Sequence, residues 1–494
     1  MRKPCWLLLL FLILGTFQLA QAVPSVIVSP SVGPPTTSIT LKGSGFFAFE
    51  AVDVYFDTRD LVLSVTSETG GFSCSLKTPR SAIPGVHWIT AVGRKSGSAA
   101  QKPFTVRTNW AMFHFGLAHR GFNPYENVLS PSNVGQLKRA WAYTTGPIFH
   151  SSPAVANGVV YVGSEHGTLY ALNASTGALK WSCNAGGRIY SSPAVANGVV
   201  YVGCEDGKLY ALNASTGALR WSYSTGSLIY SSPAVANGVV YVGSYDSKLY
   251  ALNASTGAFK WSYTTGGPIY HSSPAVANGL VYVGSTGGQL YALDAHTGAF
   301  QWSYTGATAS SPAVANGVVY VGSDHYALSA LNAQTGAFQW SYTAGKWIDS
   351  CPAVAKGVLY VGSNDGRLYA LDALTGALKW TYTTGGAITS SSPAVANGVV
   401  YVGCDDGRLY ALDASTGAYR WSYTTGGRIY SSPALANGVV YVGSEDGSLY
   451  AFRTDPESVY GTIIRRPDPA ELVPDLRLQP QDGKEVIRSS EEAE

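Results

Sequence analysis

Short apolar segments alternate with turn residues along most of the chain, and the pattern repeats almost word for word. The stretch YVGCEDGKLYALNASTGALRWSY begins at Tyr201. Similar stretches begin at Tyr161, Tyr241, Tyr282, Tyr360, Tyr401 and Tyr441. Apolar and polar residues alternate within each segment, which is typical of half-buried β-strands. The helical period of about 3.6 residues is missing from these segments, so the pattern excludes an array of helices.

Each repeat contains four predicted strands of one small sheet. In the copy around Tyr201, the strands are IYSSPAV, VVYVG, KLYALN and LRWSY, and the turns are ANG, CEDG and NASTG. The tryptophan of the fourth strand recurs at steps of 40, 40, 40, 41, 38, 40 and 41 residues. Four strands in a period of about 40 residues predict the blade of a β-propeller. The eight tryptophans are Trp141, Trp181, Trp221, Trp261, Trp302, Trp340, Trp380 and Trp421.

The first and last repeats complement each other. Trp141 lies before the first full repeat, whereas the last repeat ends at LYAFRTD without a tryptophan strand. We therefore expect residues 140–143 to supply the fourth strand of the last blade, because this removes an open sheet edge. The sequence predicts an all-β protein in which residues 140–453 form an eight-bladed β-propeller of four-stranded blades.

Four other regions are distinguished by composition. Residues 1–22 have the features of a signal peptide. Residues 23–108 contain short alternating strands separated by Gly and Pro clusters, which predict a small β-sandwich of immunoglobulin type. Residues 109–139 form a bridge in which SPSNVGQL favours one short helix. Residues 454–494 are rich in proline and acidic residues, which favours a flexible tail.

The N-terminal segment predicts export to the periplasm or the extracellular space. Arg2 and Lys3 precede a short apolar run, and the small residues around Gln21 form a cleavage site, so that the mature chain begins at Val23. No later apolar run is long enough to predict a membrane span. The net charge of +2 gives no reason to expect a nucleic acid partner.

Metal and disulfide chemistry find little support in the sequence. The cysteines beyond the cleavage site are Cys74, Cys183, Cys204, Cys351 and Cys404. Their spacing matches no metal-binding pattern, and an odd number leaves at least one thiol outside any intramolecular disulfide. His150 and His271 are conceivable metal ligands, but no third ligand accompanies them, so no metal is predicted.

One motif carries a family resemblance. Residues 171–181 and their copies share the pattern A-x-(N/D)-x-x-T-G-x-x-x-W, which resembles the tryptophan-docking motif of the pyrroloquinoline-quinone (PQQ) propeller family. The resemblance implies that each tryptophan packs between neighbouring blades. WD-repeat propellers match less well, since the Gly-His and Trp-Asp signatures are missing. Residues 23–108 resemble the bacterial immunoglobulin-like modules that accompany exported domains.

The resemblance implies two different kinds of function. Some family members are quinoprotein dehydrogenases that bind PQQ and calcium, and others are scaffolds without a cofactor. The adjacent cysteine pair of the family's alcohol dehydrogenases is missing here, as is a CxxCH haem motif. Acidic residues such as Glu205 and Asp206 lie in turn sequences. We therefore favour an exported non-enzymatic scaffold, without cofactor, that binds a protein or an extracellular ligand. The alternative is a PQQ-dependent dehydrogenase of alcohols or sugars.

The differences between repeats are concentrated on one face of the predicted ring. The segments before each first strand, and the loops between the second and third strands, vary, whereas the ANG and NASTG turns of the opposite face barely change. Aromatic and arginine side chains are the usual anchors of a recognition surface. The candidate partner-binding residues are Phe149, His150, Arg188, Tyr190, Tyr230, Tyr270, His271, Trp347, Asp349, Arg428 and Tyr430. The tyrosines have a second interpretation, in which they fill the central channel as packing residues.

Overall fold

The computed structural model of the protein describes residues 23–148, 150–306, 310–454 and 465–474, together with the backbone of 486–487. The predicted signal peptide lies outside the described residues. Regular structure in the described part is almost all β-strand, with single-turn 3-10 helices at Phe113–Phe115, Val134–Gln136 and Pro469–Glu471. No helix in this part of the chain has the length and apolar character needed to cross a lipid bilayer.

The repeats fold into eight sheets, which we number as blades in chain order. Blade 1 contains Ala154–Ala156, Val159–Gly163, Thr168–Asn173 and Leu179–Asn184, and blade 2 contains Ala194–Ala196, Val199–Gly203, Lys208–Asn213 and Leu219–Ser224. Blade 3 contains Ala234–Ala236, Val239–Ser244, Lys248–Asn253 and Phe259–Thr264, and blade 4 contains Ala275–Ala277, Leu280–Ser285, Gln289–Asp294 and Phe300–Thr305. Blade 5 contains Ala313–Ala315, Val318–Gly322, Ala327–Asn332 and Phe338–Thr343, and blade 6 contains Ala353–Ala355, Val358–Ser363, Arg367–Asp372 and Leu378–Thr383. Blade 7 contains Ala394–Ala396, Val399–Gly403, Arg408–Asp413 and Tyr419–Thr424, and blade 8 contains Ala434–Ala436, Val439–Gly443, Ser448–Arg453 and Lys138–Thr144.

The ring closes through the strand that precedes the first repeat. Lys138–Thr144 pairs antiparallel with Ser448–Arg453, so the N-terminal side of the chain supplies the fourth strand of blade 8, as the sequence predicts. Trp141 lies opposite Ala451, the same register in which Trp181 lies opposite Ala171 in blade 1. The first strands of neighbouring blades contact one another around the ring, including those of blades 8 and 1. The blades therefore share one central axis.

The first strand of each blade is shorter than the sequence predicts. The predicted segment IYSSPAV contributes only Ala194–Ala196 to the ladder of blade 2. The preceding serines leave the ladder because their hydroxyl groups bond to neighbouring backbone, as described below. The ANG turns follow the expected hairpin chemistry: Asn157 and Gly158 both have positive φ, at 53° and 76°.

Each tryptophan of a fourth strand lies at the seam with the next blade. The ring of Trp181 packs against Gly217 in the turn of blade 2, and its Nε1–H donates to the Ala214 carbonyl oxygen at 3.0 Å. In chain order, Trp141, Trp181, Trp221, Trp261, Trp302, Trp340 and Trp380 pack against Gly177, Gly217, Gly257, Gly298, Gly336, Gly376 and Gly417. At the last seam, Trp421 donates to the Leu137 carbonyl oxygen at 3.0 Å. A large aromatic surface is thus buried between neighbouring sheets.

Residues 23–108 form two sheets that share a hydrophobic core. One sheet contains Ser25–Ser29, Ser38–Ser44 and Phe72–Lys77. The other contains, in spatial order, Val32–Gly33, Ala99–Val106, Gly85–Gly93, Ala51–Phe56 and Arg59–Val65, with Val486–Ile487 at its edge. The two sheets pack over residues such as Leu41, Val54 and Phe104. The immunoglobulin-type assignment stays a prediction.

Part of the predicted flexible tail contacts this two-sheet region. Val486–Ile487 pairs antiparallel with the strand Arg59–Val65. The Arg466 guanidinium lies 5.1 Å from the centre of the Trp88 ring, and the Gln101 side chain donates to the Pro467 carbonyl oxygen at 2.8 Å. These contacts join residues 466–467 and 486–487 to the two-sheet region, and the flexibility expected for residues 454–494 stays a prediction.

Substitution of Gly177 tests the blade seam. Gly177 and Gly198 have nearly equal φ values of 73° and 74°. A Cβ on Gly177 would lie 2.7 Å from the Trp141 ring, whereas a Cβ on Gly198 would meet nothing within 4 Å. We expect Gly198→Ala to lower the free energy of unfolding by about 1 kcal/mol through backbone strain. Gly177→Ala should cost about 2 kcal/mol more because of the clash. Urea denaturation measures both.

A second substitution tests whether the clash with Trp141 causes the larger loss. In a Trp141→Ala background the clash is absent, so Gly177→Ala should cost no more than Gly198→Ala. Equal losses for the two alanine variants in the wild-type background would mean that the tryptophan contact does not constrain the seam.

Candidate functional site

A single-ended cavity lies on the axis of the ring. It encloses about 500 Å³ and is lined by residues from all eight blades and by Phe113 of the bridge. This volume lies in the range of about 300–1,000 Å³ that is usual for ligand pockets. The cavity is therefore the first place to seek a binding function.

The lower wall of the cavity is a ring of serines from the repeated Ser-Ser-Pro motif. In each blade, the first serine accepts a hydrogen bond from a glycine N–H of the second strand, as when Gly163 donates to Ser151 at 2.9 Å. The second serine links one blade to the next: the Ser152 N–H donates to Ser192 Oγ at 2.9 Å, and the Ser432 N–H closes the circuit onto Ser152 Oγ at 2.9 Å. Cys351 takes the second serine's place in blade 6. These bonds fix the spacing of the inner strands.

The floor of the cavity is the bridge between the two-sheet region and the propeller. Its carbonyl groups accept hydrogen bonds from first-strand valines of successive blades. The bonds are Val155 to Trp110, Val195 to Ala111, Val276 to Leu117, Val314 to Ala118, Val354 to Arg120 and Val395 to Gly121, at 2.7–2.8 Å. Met112 packs against the cluster between blades 2 and 3, and the Asn123 side chain donates to the Leu435 carbonyl oxygen of blade 8. The bridge thus circles the axis and blocks the ANG end.

The short helix predicted for SPSNVGQL corresponds to the single 3-10 turn Val134–Gln136, and the bridge has further structure beyond it. It contains two 3-10 turns and the short strand Phe122–Asn123, which pairs parallel with the first strand of blade 7. The predicted caps of the helix serve a different purpose: the Asn133 side chain caps no helix N–H, and it binds Ser130 N–H and the Val128 carbonyl oxygen. Backbone bonds to six blades and a side-chain bond to blade 8 explain why this segment carries no regular period.

Aromatic rings form one wall at the open end of the cavity. We define the aromatic wall as His150, Tyr190, Tyr230, Tyr270, His271 and Tyr430, which come from blades 8 and 1 to 4. Their ring centres follow a closed circuit: 5.8 Å from His150 to Tyr190, then 5.2, 4.8 and 3.8 Å through Tyr230 and Tyr270 to His271, and 5.0 Å back to His150. Tyr430 lies 5.7 Å from His150. The two imidazoles therefore meet across the channel.

Both imidazoles of this wall are neutral at pH 7. Burial lowers the pKa of His150 to about 3, and the nearby His271 adds to the effect. Burial also lowers the pKa of His271 to about 4. Because neither imidazole is charged, the aromatic wall contributes no positive charge to the cavity.

Carboxylates and hydroxyl groups form the facing wall. We define the polar wall as Asp324, Asp349, Thr389 and Ser390, which come from blades 5 to 7, with Trp347 beside it. Asp349 accepts a hydrogen bond of 3.1 Å from the Asn364 side chain, and burial raises the pKa of its carboxyl group. Thr389 donates to Asp405 at 2.9 Å. Trp347 is 51% exposed at the rim, so its side chain remains accessible from outside.

The structure brings most of the predicted face together. His150, Tyr190, Tyr230, Tyr270, His271, Trp347, Asp349 and Tyr430 all line the cavity. Arg188 and Arg428 stand outside it and donate to the hydroxyl oxygens of Tyr190 and Tyr430, at 3.2 and 2.9 Å. The tyrosines line the channel, which was the second interpretation of them. Phe149 lies outside the described residues.

Sequence reasoning missed several lining residues. The second serines were overlooked because they recur in every repeat and so belong to no variable position. Phe113 belongs to the bridge, which carries no repeat. Asp324 and Thr389 do vary between repeats, and that variation is the signal that would have found them.

Metal binding lacks a ligand set in the part of the chain that is described. No three side chains of His, Cys, Asp or Glu come close enough there to hold an ion. The acids of the turns have structural roles instead: Asp206 accepts from the Lys208 N–H at 3.0 Å and from the Tyr210 hydroxyl at 2.5 Å.

The propeller sequence matches a known family profile. The profile, described as Outer membrane protein assembly factor BamB, aligns to residues 132–231, 226–312, 305–394 and 383–457. The matched segments together span about two-thirds of the chain. No curated protein has a sequence that matches this chain.

Solved structures share the propeller fold. BamB from Moraxella catarrhalis is 21% identical, with a TM-score of 0.57, and the match covers 64% of this chain and 99% of that one. A quinohemoprotein alcohol dehydrogenase from Comamonas testosteroni is 18% identical, with a TM-score of 0.62 over 71% of this chain and 81% of that one. A europium-containing methanol dehydrogenase is 16% identical, with a TM-score of 0.62 over 70% and 98%. At such identities the likeness shows the fold alone.

The cavity lining offers PQQ no cationic side chain. PQQ is an anionic quinone that carries carboxylate groups, and such groups need cationic or metal partners in a buried site. The described lining residues include the carboxylates of Asp324 and Asp349 but no Lys or Arg. Direct ion pairs between the lining and the carboxylates of this cofactor are therefore missing among the described residues.

The buried imidazole of His119 in the cavity floor predicts a pH dependence. Burial, together with the nearby His114, lowers the pKa of His119 to about 3, although its bond to the Pro312 carbonyl oxygen acts in the opposite direction. In the unfolded chain the pKa is about 6.5. Stability should therefore be highest above pH 6.5 and fall as the pH drops towards 3. His119 alone should account for about 2 kcal/mol between pH 7 and pH 5.

A substitution isolates this effect. His119 has a φ of 50°, which asparagine tolerates, so His119→Asn should fold and lose about 2 kcal/mol of the pH dependence. The exposed turn residue His296 provides the control, and His296→Asn should retain the wild-type dependence. Urea denaturation at pH 7 and pH 5 compares the variants. An unchanged dependence in His119→Asn would show that this imidazole is not held neutral in the folded state.

Proposed function

Because the chain belongs to the family described as outer membrane protein assembly factor BamB, we propose that it is an exported, non-enzymatic propeller that holds a partner at the open end of its central cavity. The observation that carries this proposal is the difference between the two ends of the ring. The bridge covers the ANG end and bonds to the first strands there. The opposite end leaves a cavity bordered by side chains that differ from blade to blade.

The composition of this end favours recognition. Repeats that differ mainly where they border a cavity present a unique set of groups on a largely uniform frame. The frame is rigid because serine bonds and buried tryptophans fix each blade to the next. Side chains on such a frame lose little entropy when a partner binds. Trp347 has half of its surface exposed at the rim and is the natural anchor residue.

Export and the N-terminal region complete the proposal. The signal-peptide features of residues 1–22 support a periplasmic or extracellular location. The two-sheet region of residues 23–108, which we assign to the immunoglobulin-like modules, acts as a spacer or adhesive unit beside the propeller. The fixed floor of the cavity joins this unit to the ring.

A quinoprotein dehydrogenase is the second candidate, since solved dehydrogenases share the fold. The charge of the cavity lining counts against it, as does the missing adjacent cysteine pair. We give it second place on those grounds.

The role of Trp347 in capture can be tested directly. Immobilised full-length protein should capture a specific partner from the envelope of the native cell, and Trp347→Ala should weaken that capture about thirtyfold, by about 2 kcal/mol, because a hot-spot ring is lost. Leu374→Ala provides the control: Leu374 belongs to the same blade, lies in a turn of the opposite face and is 76% exposed. Loss of capture in Leu374→Ala and not in Trp347→Ala would mean that the face is wrongly assigned.

The enzymatic alternative has its own test. Purified protein supplied with PQQ and calcium should not oxidise alcohols or aldose sugars with an artificial electron acceptor, since the lining offers no cationic partner for the quinone's carboxylates. Turnover that requires added PQQ would contradict this and would establish the dehydrogenase.

A further inference from the structure

The two walls of the cavity differ in chemistry, and this difference restricts what can bind. The aromatic wall consists of six rings whose centres lie 3.8–5.8 Å from those of their neighbours. The polar wall offers two carboxylates, those of Asp324 and Asp349, together with hydroxyl groups. A ligand on the axis therefore meets aromatic faces on one side and negative charge on the other.

The charges behind the lining have the same sign. The Glu205 carboxylate accepts a hydrogen bond from the Tyr230 hydroxyl at 2.8 Å, and Asp405 accepts one from Thr389 at 2.9 Å. Two exposed cations, Arg188 and Arg428, donate to the hydroxyl oxygens of the lining residues Tyr190 and Tyr430, and they also interact electrostatically with Glu205 and Asp405. The imidazoles of His150 and His271 carry no charge at pH 7, since their pKa values are lowered to about 3 and 4. Within the described lining itself, the charged side chains are therefore the carboxylates of Asp324 and Asp349.

Aromatic faces and carboxylates attract the same kind of group. The negative face of an aromatic ring attracts an ammonium or guanidinium group within about 6 Å. A neighbouring carboxylate adds a Coulomb attraction, which is stronger in a confined site than in water. An anion would meet two carboxylates and no Lys or Arg in the described lining. Asp349 is the more buried of the two and accepts from Asn364, whereas Asp324 is about half exposed and lies 2.9 Å from the His325 ring.

We propose that the cavity binds an organic ammonium group, held between the aromatic wall and the carboxylates of Asp349 and Asp324, with Trp347 closing over it from the rim. This inference rests on the proposed function, because it names the chemistry that the same site recognises. The group can come from a small quaternary ammonium compound or from a lysine side chain of a protein partner.

Calorimetric titration of the full chain tests the proposal with matched probes. Choline is compared with its neutral isostere, in which carbon replaces the ammonium nitrogen. We expect choline to bind about tenfold more tightly than the isostere, because the two differ only in charge. Asp349→Asn should weaken choline binding about tenfold and leave the isostere unchanged. Leu374→Ala should alter neither, and thermal unfolding of each variant checks that the fold is retained.

A second titration identifies the source of the group. Nα-acetyl-lysine amide carries the free ammonium side chain of lysine as it occurs in a protein. Tighter binding of this probe than of choline would assign the site to a protein partner. Tighter binding of choline would assign it to a small molecule. Equal affinity for choline and its isostere, or no binding of either cationic probe at millimolar concentration, would overturn the proposal.

The outcome is separable from that of the capture experiment. If neither cationic probe binds but Trp347→Ala still abolishes capture, the ammonium inference fails and the proposed function stands. If choline binds with the expected dependence on Asp349 but capture ignores Trp347, the cavity is an ammonium site and the partner face is wrongly placed.

Discussion

Closure of the ring by a strand from the N-terminal side is the constraint on which the architecture depends. Lys138–Thr144 completes blade 8, so the chain must enter the ring before it forms the first repeat. The segment that leads there runs around the axis and bonds to the inner strands at the ANG end. The open end is therefore left to the segments that differ between blades. One strand pairing thus determines where a floor lies and which face can receive a ligand.

The repeat pattern could predict the propeller because each blade repeats the same local physics. Strand alternation, Asn-Gly turns and the tryptophan seam are all written within about 40 residues, and the structure follows them down to the register of Trp141 opposite Ala451. The bridge could not be predicted in the same way. Its partners are the inner strands of several blades. Its residues are therefore determined by contacts with distant parts of the chain, which impose no period on the sequence. The tail contacts of Arg466 and Gln101 escaped prediction for a similar reason, since they join residues from opposite ends of the chain.

The candidate site was predictable only to the extent that it varies. His150 and Trp347 were found because they depart from the consensus of the repeats. The serines that line the same cavity were not found, because a residue that recurs from blade to blade is interpreted as structural. Here they serve as structure and as lining, since each second serine both accepts an inter-blade bond and borders the cavity. The split into an aromatic and a carboxylate wall needed the three-dimensional order of the blades.

The bridge also favours a ring with one particular number of blades. Blades of nearly identical sequence could in principle join in the wrong number, since any seam fits any other. The carbonyl groups of Trp110, Ala111, Leu117, Ala118, Arg120 and Gly121 are matched one by one to valines of different blades, in chain order. A ring with one blade more or fewer would leave this register unmatched, with polar backbone groups buried and unpaired at its centre. A single non-repeating segment thereby favours one number of blades in a chain of nearly identical repeats.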